Sequence, residues 1–315
     1  MAIVACHATV RPPVPAAESG PVAAPPPASA VAASSAQRAL GDVCRKARDN
    51  AAPRTDPHED LDAILWLQTA AEYRANTMTV YRAAASALPV LATAARGRGA
   101  DPVVVLDLDE TVFDNSHFQG RLLAEARNYD SDLWDCWVGQ RQAGAVPGAD
   151  LLFRAMTSQG VRGRFITNRK CRPRPGDADA CPQEAETLTN LNALLKDTGY
   201  VATADELLLS AEKDPTTGTA WEDEKQPRRD FVSAKHEIVM LVGDDLGDFL
   251  PGVRKATIAA RTAELARVSD RWGTSWFALP NPSYGSWLTA VDQEAAAATP
   301  RKRHDVIEAF PYPRE

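Results

Sequence analysis

Two short apolar runs, each followed at once by acidic residues, constrain the fold of this chain more than any other feature. They lie at residues 103–106 and 238–242. Both are uninterrupted by polar side chains, which is typical of strands that are buried on both faces. Shorter candidate strands and two helical stretches separate them, at residues 165–167, 207–209, 149–159 and 184–196. Strands that alternate with helices predict an α/β fold, with a Rossmann-like parallel sheet and helices on both faces.

Composition divides the chain into segments. Residues 11–36 are rich in proline and alanine, lack aromatic side chains and cannot bury enough surface to offset the entropy of ordering. Alanine is again frequent between residues 61 and 95, which predicts a helical region that Pro89 is expected to break. The predicted boundaries are 1–55 for a disordered tether, 56–99 for a helical appendage, 100–290 for the α/β domain and 291–315 for a C-terminal tail.

Composition also excludes some classes of function. The net charge of −7 over 315 residues indicates no broad basic surface, so nucleic acid is not an expected partner. No apolar stretch approaches the roughly 20 residues that a membrane-spanning helix needs. Cys6 follows an apolar run that resembles the lipobox of a bacterial lipoprotein. Because only five residues precede Cys6, that interpretation requires a truncated signal peptide; the alternative is an ordinary cysteine in the tether.

Carboxylates gather where the two strongest strands end. Asp107 and Asp109 follow the first strand, two residues apart and therefore on one side of the extended chain. Asp244, Asp245 and Asp248 follow the second. The carboxyl ends of parallel strands meet at one edge, so these groups are expected to share a crevice. Such anions repel one another, and a hard cation such as Mg²⁺ would relieve the repulsion. Alternatively, each carboxylate only caps the helix that follows it.

Groups suited to a phosphoryl anion follow another candidate strand. Thr167, Asn168 and Arg169 offer a hydroxyl, a backbone amide and a guanidinium. Lys225 and Arg228 precede the second group of carboxylates, which begins at Asp244. A cation from this segment would offset the negative charge of a phosphoryl group. Each group has a simpler interpretation. Residues 167–168 are also compatible with a turn, and the charged run around Lys225 is also compatible with a solvent-exposed face of the protein.

Taken together, these motifs resemble the haloacid dehalogenase superfamily of phosphohydrolases, and more specifically the class C non-specific acid phosphatases, which include the lipoprotein 5′-nucleotidases. The run at 107–111 is similar to the first motif, Thr167 to the second, Lys225 to the third and residues 243–248 to the fourth. Lys213 is a competing candidate for the third motif. The resemblance covers about residues 60–290 and extends to Trp134, Trp137 and residues 105–116, 146–149 and 279–287.

The resemblance implies a Mg²⁺-dependent acid phosphatase that hydrolyses phosphomonoesters, including nucleoside 5′-monophosphates. Asp107 would be the nucleophile that forms an aspartyl-phosphate, and Asp109 the general acid and base. The implied metal ligands are the side chains of Asp107 and Asp244 and the backbone carbonyl of Asp109, while Asp248, alone or together with Asp245, would hold metal-bound waters. The implied phosphate-binding residues are Thr167, Asn168, Lys225 and Arg228. The family usually has Asn at the position of Asp245, where a carboxylate is expected to alter metal affinity.

Aromatic side chains of the family stack on the base of a nucleotide. The candidates here are Phe118, Trp134, Trp137 and Tyr284, and the alternative is that they belong to the scaffold. His117 either touches the substrate or lies on the surface.

Four further cysteines bear on location. Cys171 and Cys181 bracket a loop rich in proline, and a disulfide between them would hold it near the second motif. The alternative is a pair of reduced thiols, and Cys44 and Cys136 either pair or stay free. The family implies a periplasmic protein or one anchored to the outer membrane through a lipid on Cys6, and homodimers occur in it.

Two other functions stay open at the level of sequence. The same fold also supports a phosphotransferase that passes the phosphoryl group to an alcohol. A non-catalytic relative that binds a ligand at the cell surface is the second alternative, although every motif position is filled here.

Overall fold

The predicted strands form one parallel sheet. The computed structural model describes residues 34–54, 56, 59–295, 303 and 306. The strands are β1 (Pro102–Leu106), β2 (Phe113–Asp114), β3 (Gly144–Ala145), β4 (Arg162–Lys170), β5 (Leu207–Ser210), β6 (Glu237–Gly243) and β7 (Trp276–Ala278). The sheet has the order β5-β4-β1-β6-β7, and β2 pairs with β3 in a small antiparallel sheet. This arrangement confirms the predicted α/β fold, to which β7 adds a strand that the sequence reasoning missed.

Helices connect the strands, and two of them lie within two residues of their predicted bounds. The helices of residues 34–295 are α1 (Ser35–Asn50), α2 (Leu61–Thr69), α3 (Ala71–Gly97), α4 (Ser116–Ala124), α5 (Ser131–Gln140), α6 (Ala149–Gln159), α7 (Pro182–Leu195), α8 (Gln226–Ser233), α9 (Ile258–Arg267) and α10 (Ser286–Glu294). Local signals define α6 and α7. Gly160 ends α6 in the left-handed conformation, and Pro182 begins α7 with a favourable backbone angle.

The two faces of the sheet are buried against different helices. Val104 and Leu106 of β1 enter the same apolar core as Leu88 of α3. Val103 and Val105 point the opposite way and pack in a second core with Val232 of α8. This alternation explains why β1 is apolar at every position.

Two expectations about the segment before β1 are corrected. Pro89 does not break the helix, because α3 continues through it to Gly97. Proline removes one backbone hydrogen bond, but Tyr81, Ala84 and Leu88 on the same helix are fully buried in the core beneath it. Their burial compensates for the lost bond, and it makes α3 a layer of the domain rather than an appendage.

Helix α1 corrects the predicted end of the tether at residue 55, because it begins at Ser35. Its start is a capping box, in which Ser34 accepts from the backbone N–H of Gln37 at 3.2 Å and the Gln37 side chain accepts from Ser34 at 2.8 Å. The helix packs against α5, and a disulfide between Cys44 and Cys136 joins the two. Short-range capping and this long-range link together order residues that follow a proline-rich segment.

Some predictions fall outside the part of the chain that the structure describes. These are the tether over residues 1–33, the lipobox at Cys6 and most of the C-terminal tail. Helix α10 ends at Glu294, slightly beyond the predicted domain boundary at residue 290. Within residues 34–54 and 59–295, no helix combines the length and apolar character needed to cross a membrane.

Candidate active site

The site lies where the strand order of the sheet reverses. The chain leaves β1 toward β4 and leaves β6 toward β7, so the carboxyl ends of β1 and β6 flank a topological switch point. Asp107 follows β1, Asp244 follows β6, and the backbone N–H of Asp107 donates to the Val242 carbonyl at 2.9 Å. Both aspartates line a cavity of about 560 Å³.

Three carboxylates converge in this cavity. Asp107, Asp244 and Asp248 each place one oxygen within 4.8 Å of the others. Burial raises the pKa of Asp107 to about 7, with Lys225 opposing the rise and Asp248 adding to it. Burial, together with the charges of Asp248 and Asp107, also raises the pKa of Asp244 well above its ordinary value. The protein thus concentrates negative charge where its own groups do not fully neutralise it.

Lys225 occupies the position expected of the third motif. Its ammonium contacts the carboxylate of Asp107 and lies 2.7 Å from Asp248 Oδ1. Burial opposes its charge, but the two carboxylates together raise the pKa of Lys225. The competing candidate, Lys213, instead pairs with Ala220 in an isolated antiparallel bridge and is not among the residues that line the cavity.

Backbone geometry and one amide orient the carboxylates after β6. Asp248 Oδ2 accepts from the backbone N–H groups of Asp244 at 3.1 Å and Asp245 at 2.9 Å. A Cβ on Gly243 would lie 2.3 Å from that oxygen, so the turn requires glycine. Asn281 donates to Asp244 Oδ2 at 2.8 Å. The sequence reasoning did not single out Asn281, although it lies in the run at 279–287 that carried the resemblance.

Asp245 lines the cavity, but protein donors bind its carboxylate. Its carboxylate accepts from Ser286 N at 2.5 Å, Ser286 Oγ at 2.7 Å and Gly247 N at 2.8 Å. Burial acts against ionisation, but these hydrogen bonds lower the pKa of Asp245 overall. The carboxylate caps the 3-10 turn Leu246–Asp248 and ties it to α10, so its oxygens are already committed to protein donors.

Asp109 lies beside the cluster rather than in it. Its carboxylate accepts hydrogen bonds from Arg169 at 2.7 Å and Asn115 at 3.0 Å, and Thr167 Oγ1 lies 3.4 Å from it. This placement is compatible with the expectation that only the backbone carbonyl of Asp109 faces a metal. Thr167 is fully buried and also accepts from the backbone N–H of Arg169 at 3.1 Å.

Arg228 is not available to a phosphoryl group, which corrects that prediction. Its guanidinium is buried and donates to Thr167 O at 2.5 Å, Glu222 O at 3.0 Å and Asn168 Oδ1 at 2.7 Å. Burial lowers the pKa of Arg228 to about 10. Asn168 does line the cavity, where its amide donates to the Asp223 carbonyl at 3.1 Å. Arg228 therefore ties β4 to the loop that carries Lys225.

The aromatic candidates divide into two groups. Trp134 and Tyr284 line the cavity. Phe118 is 4% exposed and packs edge-on against Trp134 with 5.2 Å between ring centroids, and Trp137 packs on Phe118 at 6.1 Å. Phe118 and Trp137 are thus scaffold residues, as the alternative interpretation held. Tyr129, which the sequence reasoning missed, also lines the cavity and is 62% exposed.

Charged residues from distant segments complete the rim of the cavity. Arg54, Glu59 and Arg303 line it, and Arg303 forms ion pairs with both Glu59 and Asp292. No spacing in the sequence connects these residues with the strand ends. His117 is exposed and lies outside the cavity lining, which favours the surface interpretation.

The loop after β4 is held at both ends and in its middle. The disulfide between Cys171 and Cys181 closes it. Within it, Arg174 donates to Asp135 of α5 at 2.8 and 2.9 Å and to Glu186 of α7 at 2.8 and 2.9 Å. The loop is therefore fixed to α5, the helix that brings Trp134 to the cavity.

The fold and the strand-end constellation define a phosphohydrolase-like α/β protein, and sequence comparison identifies the family. A model of the HAD superfamily, subfamily IIIB (acid phosphatase), matches residues 39–287. The chain belongs to this family.

Solved structures and curated proteins agree with that assignment. A class C acid phosphatase from Bacillus anthracis with tungstate bound has a TM-score of 0.65 and 32% sequence identity, covering 80% of this chain and 98% of the other. A second structure of the class C acid phosphatase from the same organism has a TM-score of 0.63 and 30% identity, with the same coverage. The stem 28 kDa glycoprotein of Glycine max is 26% identical over 57% of this chain, and the stem 31 kDa glycoprotein is 26% identical over 48%. The chain spans about half the length of these curated relatives, 58% and 46%.

Proposed function

We propose that this protein is an acid phosphatase that hydrolyses phosphomonoesters through a covalent intermediate on Asp107. The observation that carries the proposal is the contact between the buried Asp107 carboxylate and the ammonium of Lys225, in a cavity at the switch point of the sheet. Membership of an acid phosphatase family supports the same reaction.

The donor set fits a hard divalent cation. Asp107, Asp244 and Asp248 offer three carboxylate oxygens within 4.8 Å of one another, and Lys225 supplies one positive charge against them. Oxygen ligands of this kind suit Mg²⁺. We assign Mg²⁺ to these side chains and to the backbone carbonyl of Asp109. When bound, Mg²⁺ would neutralise the charge of the phosphoryl group and hold it for in-line attack.

The side chains then divide the chemistry between them. A carboxylate oxygen of Asp107 forms a bond to phosphorus while the bond from phosphorus to the ester oxygen breaks, and Asp109 gives its proton to the departing oxygen. In the second step Asp109 takes a proton from water, whose oxygen bonds to phosphorus as the bond to Asp107 breaks. Inorganic phosphate leaves. Lys225 balances the charge on Asp107, and Thr167 and Asn168 bind the phosphoryl oxygens.

The direct test is Asp107→Asn, with Asp150→Asn as a matched control. Asp150 is a half-exposed residue of α6 that pairs with Arg154 at 3.7 Å, so its change is expected to leave activity intact. Asp107→Asn is expected to lower kcat by about 1,000-fold or more, as loss of a nucleophile does. Dialysis against EDTA is expected to abolish activity and Mg²⁺ to restore it. Full activity of Asp107→Asn would refute the covalent mechanism, and indifference to EDTA would refute the metal assignment.

We propose nucleoside 5′-monophosphates as substrates, and the aromatic lining of the cavity supports this proposal. Trp134, Tyr129 and Tyr284 present aromatic surface around the space beside the carboxylates. Stacking of a base on one such ring contributes about 1–3 kcal/mol. Tyr284→Ala is therefore expected to raise KM for adenosine 5′-monophosphate by about 5- to 150-fold and to leave KM for glycerol phosphate unchanged. Equal effects on both substrates would count against base recognition.

An oxidising compartment suits the two disulfides, and we infer a periplasmic or membrane-anchored location. Lipid attachment at Cys6 falls outside the described residues. Metabolic labelling of the full-length protein with palmitate, compared with Cys6→Ser, tests it, and the absence of label on both would contradict the anchor. Adding an alcohol acceptor to the assay separates hydrolysis from phosphotransfer, because only the latter yields a new phosphate ester.

A further inference from the structure

Arg169 at the carboxyl end of β4 forms a fork around Asp109. The Arg169 side chain is 2% exposed, and that of Asp109 is 16% exposed. Nη2 of Arg169 donates to Asp109 Oδ1 at 2.7 Å, and Nε donates to Oδ1 at 3.1 Å and Oδ2 at 3.2 Å. A planar guanidinium held in this way sets the orientation of a carboxylate as well as its position.

The guanidinium is itself held by elements that lie on either side of it. Nη1 of Arg169 donates to Thr187 Oγ1 of α7 at 3.0 Å. Its guanidinium carbon lies 4.3 Å from the ring centroid of Phe113 and 5.7 Å from that of Trp134. Cation–π contacts and a hydrogen bond therefore restrict the side chain to one conformation.

The two oxygens of Asp109 are held unequally. Oδ1 accepts three hydrogen bonds, two from Arg169 and a third from Asn115 Nδ2 at 3.0 Å. Oδ2 has only the longer contacts, to Arg169 Nε at 3.2 Å and to Thr167 Oγ1 at 3.4 Å. Oδ1 is thus committed to protein donors, whereas Oδ2 retains capacity for a proton and for a leaving oxygen.

We propose that Arg169 is a positioning residue that orients Asp109 so that Oδ2 delivers the proton to the leaving oxygen. This inference rests on the proposed phosphatase function. It assigns Arg169 to the departure of the alcohol rather than to the binding of the phosphoryl group, which was the role its neighbourhood in the sequence indicated.

Leaving-group dependence tests the proposal, because a positioned acid matters only when the departing oxygen needs a proton. Adenosine 5′-monophosphate releases an alkoxide, whereas 2,4-dinitrophenyl phosphate releases a stable phenolate. For Arg169→Met, kcat/KM is expected to fall by about 100-fold or more with the first ester and by less than about 10-fold with the second. Since kcat/KM covers only the steps up to alcohol release, hydrolysis of the covalent intermediate does not enter the comparison. Equal losses on both esters would overturn the proposal.

Two further variants keep the test decisive. Thr187→Val removes the hydrogen bond that anchors Arg169 and leaves every contact of Asp109 in place. We therefore expect kcat/KM for the alkyl ester to fall by only about 5- to 10-fold, with the same selectivity for that ester over the dinitrophenyl ester. If Arg169→Met fails to fold, Thr187→Val decides, and a loss without leaving-group selectivity contradicts the proposal. Asp109→Asn combined with Arg169→Met is expected to be no slower with the alkyl ester than Asp109→Asn alone. Additive losses would show that Arg169 acts elsewhere.

The outcomes also separate this inference from the proposed function. Retention of activity by Asp107→Asn would refute the phosphatase mechanism as a whole. Loss of activity in Asp107→Asn, together with equal losses on both esters in Arg169→Met, would refute only the role of Arg169.

Discussion

The buried ion pair between Asp135 and Arg174 provides a quantitative test of how the loop after β4 is held. Asp135 accepts from Arg174 at 2.8 and 2.9 Å and from Gln183 Nε2 at 2.7 Å. The side chains of Asp135 and Arg174 are 6% and 2% exposed. Replacing Asp135 with Asn keeps the shape of the side chain but leaves part of the Arg174 charge without its partner in a dry environment.

The expected cost follows from that burial. Removing one partner of a buried pair costs about 3–5 kcal/mol. Because Arg174 keeps two hydrogen bonds to Glu186, at 2.8 and 2.9 Å, we expect the lower end, about 3 kcal/mol. For a domain of this size, that loss lowers Tm by about 6–12 °C.

Urea unfolding of Asp135→Asn, followed by circular dichroism with the disulfides intact, measures this cost. Glu264→Gln is the matched control, because Glu264 forms an exposed pair with Arg267 at 3.1 Å and is expected to contribute less than about 1 kcal/mol. A loss for Asp135→Asn no larger than that of the control would refute the reasoning about burial.

The dependence on pH gives an independent check. Burial opposes the charge of Asp135, but hydrogen bonds from Arg174 and Gln183 lower its pKa below the usual 3.8. A depressed pKa contributes stability that is fully present above the unfolded-state value and is lost as the pH falls through the folded-state value. The difference in the free energy of unfolding between the wild-type protein and Asp135→Asn is therefore expected to be constant near neutrality and to shrink below pH 3.8. A difference that grows on acidification would contradict the assignment.

Three further predictions concern the turn after β6. Asn281→Ala removes the donor to Asp244 and is expected to weaken Mg²⁺ binding by about 10- to 100-fold, measured by titrating activity with Mg²⁺; unchanged affinity would contradict this role. Gly243→Ala places a Cβ 2.3 Å from Asp248 Oδ2, so both Tm and kcat are expected to fall, and wild-type values would refute the clash. Ser286→Ala removes the hydrogen bond from the Ser286 hydroxyl to the Asp245 carboxylate. It is expected to lower the free energy of unfolding in urea by about 1–2 kcal/mol with no change in Mg²⁺ affinity, and weakened Mg²⁺ binding would place the Asp245 carboxylate in the metal site.

Local patterns predicted those parts of the site that depend on neighbours along the chain. The apolar residues of β1 and β6 indicated buried parallel strands, and such strands deliver the groups that follow them to one edge. For that reason the convergence of Asp107, Asp244 and Asp248 followed from position alone.

Roles that depend on distant partners did not follow from the same patterns. Asp244 and Asp245 are adjacent and chemically identical, yet Asn281 holds the first toward the carboxylate cluster while Ser286 binds the second. Helix α3 continues through Pro89 because its face is buried against the sheet, although local propensity favours a break. In each case the local preference contributes less to the free energy of folding than the burial or the long-range hydrogen bonds that oppose it.

The sequence by itself determined the class of fold, the strand ends that form the site and the carboxylates that gather there, because strand burial and side-chain alternation are properties of consecutive residues. Only the tertiary structure decided which cationic side chain forms an ion pair with which carboxylate. The family resemblance implied a phosphate-binding role for Arg228, and the position after β4 suggested a similar role for Arg169. In the structure Arg228 donates to backbone carbonyls and to Asn168, and Arg169 donates to Asp109. The direction of a long side chain depends on partners brought together by folding, and spacing along the chain carries no information about them.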